Sequence, residues 1–82
     1  MDTLTSRYNP KNINPPIEVS KVTRIVLETR GENVHKLWAI FFHGKTETGA
    51  GQIIGRWFYQ SEALRHGELD MLRERLSGVV VD

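Results

Sequence analysis

Residues Ala39 to Thr46 read A-I-F-F-H-G-K-T, a small residue and four others before Gly-Lys-Thr, which is the loose spacing of a phosphate-binding loop. Such a loop turns successive backbone N–H groups onto an anion at a helix N-terminus, and it needs small residues to do so. Ile40, Phe41, Phe42 and His43 are too bulky for that cradle, and the T-E-T-G-A-G that follows cannot open a helix. The segment is expected to be the end of a strand. His35, His43 and His66, with Glu47 or Glu62, are the other residues with ligating chemistry. No pair of these histidines has the i, i+4 spacing that sets two imidazoles on one helical face. Glu68, Asp70 and Glu74 are interleaved with Arg65, Arg73 and Arg75, as on an ordinary solvated helix face. The sequence therefore assigns no catalytic residue, metal or cofactor, and the chain is expected not to be an enzyme.

The aromatic residues carry a stronger signal. Trp38, Phe41, Phe42, Trp57, Phe58 and Tyr59 fall in two short segments, with Arg56 beside Trp57. Aromatic and Arg side chains dominate binding hot spots. Six large rings also overfill one face of a small sheet. Trp38, Phe42, Lys45, Arg56, Trp57 and Tyr59 are the expected partner-binding residues, helped by the 45–51 loop and the N-terminal arm.

Four elements must position them. Residues from Val19 to about Arg30 are rich in β-branched side chains, Gly31-Glu32-Asn33 signals a turn, and Val34 to His43 makes a second strand, so the two form a hairpin. Alternation in the second strand sets Val34, Trp38, Ile40 and Phe42 on one face and Leu37, Ala39 and Phe41 on the other. Both faces are apolar, so both are expected to be covered. Gly44 to Gly51 has three glycines in eight residues and reads as a loop. Gln52 to Gln60 is read as a third strand, with Ile53, Trp57 and Tyr59 on one face and Ile54 and Phe58 on the other. A helix competes there, because Ile54, Trp57 and Phe58 also fit a 3.6-residue period. Ser61 is the expected N-cap of a helix carrying Leu64, Leu69, Met71, Leu72 and Leu76 on one side. Gly67 costs about 1 kcal/mol in its middle. Gly78 is the expected C′ residue, and Val79 to Val81 is a candidate edge strand.

The expected architecture is α+β: a small antiparallel three-stranded sheet, with a candidate short fourth strand at the C-terminus and one helix on one face. Residues 1–17, with Pro10, Pro15 and Pro16, are expected to be a flexible arm, and residues 18–82 a single domain. A folded part of about 65 residues has a marginal core, and with no cysteine it can draw on no disulfide. Self-association or a partner is the favoured supplement. Eleven Lys and Arg against ten Asp and Glu give a charge of +1, less basic than a dedicated nucleic-acid binder. There is no apolar run of about 18 residues for a membrane span, and no hydrophobic signal core at the start. A cytoplasmic location is expected.

The segment K-L-W-A-I, with the later G-A-G-Q and S-E-A-L, is similar to the WGR domain of DNA-damage enzymes. The Trp-Gly-Arg signature is replaced by His43-Gly44-Lys45 and one strand of that family is missing, so no residue role is transferred. The plant ethylene-response DNA-binding domain shares only the strand-strand-strand-helix order. The expected function is protein–protein interaction by a small accessory or inhibitory protein of the phage or mobile-element kind, with another protein or itself as partner. The second reading is nucleic-acid binding by Lys21, Arg24, Lys36, Lys45 and Arg56 with exposed aromatics.

Overall fold

A computed structural model describes residues 2–32, 36–47 and 49–82 of the chain. The elements are β1 (Thr3–Leu4), β2 (Ile17–Glu18), a 3-10 turn (Val19–Lys21), β3 (Val22–Arg30), β4 (Leu37–Thr46), β5 (Gly49–Tyr59), α1 (Glu62–Arg75) and β6 (Val80–Val81). The α+β class holds, but the sheet is not three-stranded and antiparallel. Its order is β5-β4-β3-β6, with β6 parallel to β3, and β1 and β2 form a separate two-stranded antiparallel ladder. Asp82 extends the β6 pairing, its N–H donating to Ile25 and its carbonyl accepting from Leu27.

Residues 52–59 settle as strand, because Trp57 and Tyr59 alternate into the core beside Ile40 and Trp38 of β4. The Gly44–Gly51 segment is not an open loop. β4 runs through Thr46, which pairs with Gly49, so the two strands meet in a tight hairpin. A register shift between Phe42 and His43 leaves Ile54 as an extra residue in β5, and such a bulge reverses the facing beyond it. Ile53 thus opposes His43 and is 40% exposed, while Ile54 packs against the core, the reverse of simple alternation. Asn33, Val34 and His35, where the first turn and the start of the second strand were expected, lie outside the described residues.

Ser61 caps α1 by accepting from the Leu64 N–H at 3.2 Å. Leu69, Leu72 and Leu76 meet Ile25, Ile40, Phe42, Trp57 and Tyr59 in one cluster, whereas Leu64 stays exposed. Glu68, expected on a solvated face, is fully buried. The reason is the N-terminal segment, expected as a separate arm but packed here over the core face. Leu4 and Ile17 enter the cluster, and Asn14 is buried. The Glu68 carboxylate accepts the Arg7 backbone N–H at 2.9 Å and its Nε at 3.4 Å.

Two glycines make room for that segment. A Cβ on Gly55 would collide with the Ile17 Cδ1, and one on Gly67 would stand 2.7 Å from the Tyr8 hydroxyl. Gly67 weakens the helix intrinsically, yet it seats a tyrosine. Gly55→Ala is expected to lose about 1–3 kcal/mol by overpacking. Ile17→Val removes the colliding methyl, so urea unfolding of the double variant should recover part of that loss. Strict additivity would show that the two residues do not meet.

Candidate interaction face

The sheet has two unlike faces. Register places Ile25, Leu27, Trp38, Ile40, Phe42, Trp57 and Tyr59 under α1 and the N-terminal segment. Strand alternation sends their neighbours to the opposite side. Arg24, Val26, Glu28 and Arg30 come from β3, Leu37, Ala39, Phe41 and His43 from β4, and Ile53, Arg56 and Phe58 from β5. Among the described residues no helix lies over this outer face.

The six expected partner-binding residues divide between the core and the surface. Phe42, Trp57 and Tyr59 are core residues with essentially no exposed surface. Phe42 and Trp57 pack edge to face at 4.8 Å, and the Trp57 indole N–H donates to the Pro15 carbonyl at 2.7 Å. They were expected at a surface because one helix could not cover them, and the N-terminal segment supplies the rest of the cover. Trp38 is half-buried, with the Lys36 ammonium 4.5 Å and the Arg65 guanidinium 5.0 Å from its ring centre. Lys45 lines an open groove of about 560 Å³ beside the 3-10 turn, with Lys21, Glu18 and Glu47. Arg56 is the residue of the set that stands exposed on the outer face, and no ion pair to it is present among the described residues.

The outer face is apolar in its middle. Phe41 and Phe58 meet edge to face at 6.4 Å, and the Arg30 guanidinium sits 5.6 Å from the Phe41 ring centre. Phe41 is thereby reduced to 6% exposure. Leu37 and Ile53 are each 40% exposed, and Val26 and Phe58 are half-buried. Leu37, Ile53 and Phe58 were assigned to faces from the sequence but are not among the expected partner-binding residues. Charges frame this patch. Arg24 pairs with Asp82, and Arg30 lies 4.0 Å from Glu28. His43 donates from Nδ1 to the Gly51 carbonyl at 2.9 Å.

Of the five basic residues of the nucleic-acid reading, Lys21 pairs with Glu18 and lies with Lys45 at the groove, Lys36 covers Trp38, and Arg24 and Arg56 stand on the outer face. Ala39–Thr46, the phosphate-loop lookalike, lies wholly within β4. His66 lies 4.0 Å from Asp70 on the helix, away from His43 on the sheet, and His35 is outside the described residues. No group of three metal-ligating side chains occurs among the described residues, and none of their helices is long and apolar enough to cross a membrane.

One edge of the sheet is closed by side chains rather than by a strand. Asn14 accepts the Phe58 N–H through Oδ1 at 2.8 Å, and its Nδ2 donates to the Phe58 carbonyl at 3.3 Å. Asn9 donates to the same carbonyl. An asparagine thus replaces the backbone of a neighbouring strand at this end of β5, satisfying groups that would otherwise recruit one.

Burial pushes the Tyr59 phenol far above its ordinary value of 10.0, and the nearby Glu68 carboxylate adds to the shift. Its hydroxyl has no well-aligned hydrogen-bond partner, with Ser6 and Glu68 beside it. The native state therefore strongly disfavours the phenolate. The stability Tyr59 contributes is full below about pH 10 and falls above it, where the unfolded chain ionises. Ultraviolet titration should show Tyr59 ionising only as the fold is lost. A reversible native phenolate from both tyrosines would contradict this burial.

The chain matches no protein family, no curated protein and no solved structure.

Proposed function

We propose that this protein is a non-enzymatic binding module that engages another protein through the outer face of its sheet. The observation that carries the reading is the side opposite α1, where Leu37 and Ile53 are exposed around a Phe41–Phe58 centre. A fully desolvated apolar centre inside a charged rim is the anatomy of a protein interface. Partial exposure of four apolar side chains on one side of an 82-residue chain also gives a second surface something to bury.

A nucleic-acid partner fits this face less well. Base stacking needs an open aromatic platform, and Phe41 is shut beneath Arg30 while Phe58 is half-buried. Two of the three arginines on the face have carboxylate neighbours. Binding by such a face supports the reading of an accessory or inhibitory protein, acting by occupying another protein's surface.

Site-specific photo-crosslinking in cells tests this. A benzoylphenylalanine at Ile53 is expected to give a protein adduct that Leu37→Asp abolishes, and one at Glu74 on the helix to give none. Leu37→Asp should leave unfolding within about 0.5 kcal/mol of the parent, whereas Trp57→Asp, a core change, should cost at least about 3 kcal/mol. Equal adducts from Ile53 and Glu74, or adducts destroyed by nuclease, would overturn the proposal.

A further inference from the structure

We infer that the corner of the outer face closed by the N-terminal segment is a pocket for one bulky apolar side chain from an extended, acidic segment of a partner protein. The inference rests on the reading of that face as a protein-binding surface, and it names the kind of segment the face takes.

The pocket holds about 300 Å³ between the Leu37–Phe58 end of the sheet and Asn9 and Ile13 of the N-terminal segment, with Tyr59 and Gln60 completing it. That volume is at the small end for ligand sites and fits a side chain better than a cofactor. The Pro10 carbonyl accepts the N–H groups of both Ile13 and Asn14, and this tight turn presents Ile13 with 48% of its surface exposed. Tyr59 is the one ionisable residue in the lining, and its buried phenol stays neutral. Nothing in the pocket answers a charge, so its occupant is apolar.

A charge is answered next door. Phe58 and Arg56 are alternate residues of β5, so Arg56 starts roughly 7 Å along the strand from the pocket wall. Arg24 and Arg30 have Asp82 and Glu28 beside them, but Arg56 has no carboxylate among the described residues. An extended segment laid along β5 points its residues i and i+2 to one side with this same spacing. With its apolar residue in the pocket, a carboxylate two positions away reaches Arg56. Asn9 and Asn14 already occupy the backbone edge at Phe58, so the segment lies across the face and does not add to the edge there.

Selection of random heptapeptides displayed on phage against the immobilised full chain tests this. The expected enrichment is Leu, Ile, Phe or Trp with Asp or Glu two positions away. A synthetic peptide of the selected sequence is then titrated by fluorescence anisotropy. Ile13→Asp and Arg56→Glu should each weaken it about tenfold or more. Ile13 and Arg56 are exposed, and unchanged thermal unfolding verifies that both variants fold. Absence of the apolar–acidic pattern, or unchanged affinity in Ile13→Asp, overturns the pocket. The Ile53 crosslink would still report separately on the face. A dimer by light scattering that Ile13→Asp dissociates would place a second copy in the pocket and overturn the partner segment.

Discussion

The fold depends on how its first eighteen residues are held against the rest. A four-stranded sheet with a single helix leaves part of its core face open, and this segment closes it by burying Leu4 and Ile17. Apolar contact alone would not fix so proline-rich a stretch. Its position is set by polar contacts that leave little freedom: Glu68 takes the Arg7 amide, Asn14 takes both backbone groups of Phe58, and Pro15 takes the Trp57 indole. A buried carboxylate without those donors would be strongly unfavourable, so seating the segment and burying Glu68 are one event. Gly55 and Gly67 supply the clearance.

That coupling explains what the sequence made legible. The β-branched and aromatic runs gave three long strands, and Ser61 with the leucines after Leu64 gave the helix, because those patterns are local. The division of Trp38, Ile40 and Phe42 from Leu37, Ala39 and Phe41 followed from strand periodicity and is what the ladders show. The bulge at Ile54 was not legible, since one added residue leaves no mark in composition. Nor was the N-terminal seat. Prolines and asparagines read as unstructured when each is judged alone, and Asn14 has its meaning only opposite Phe58, which lies 44 positions away. Glu68 was hidden for the same reason, as its charge pointed to solvent while its partner sat near the start of the chain.

The same omission explains the candidate site. Trp57, Phe42 and Tyr59 looked like surplus apolar surface while the helix was their one imagined cover. With the segment in place they become interior, and the available surface passes to smaller groups, Leu37 and Ile53, with Arg56 beside them. On the other side of the sheet the exposed apolar groups are the aliphatic Leu37 and Ile53. Three of the four largest fully buried side chains belong to the set first expected to bind a partner.

The contact between Arg7 and Glu68 spans 61 positions, and those from Asn9, Asn14 and Pro15 to β5 span 49, 44 and 42. Closing such long loops must precede any reward from the contacts they make, which slows folding relative to a topology of local contacts. On a ribosome, a nascent chain that has emerged only as far as β5 owns its hairpin but lacks the carboxylate that fastens its own beginning. Its contacts from Asn9, Asn14 and Pro15 to β5 can form by then, but the Arg7 amide gains its acceptor only when the helical residues arrive.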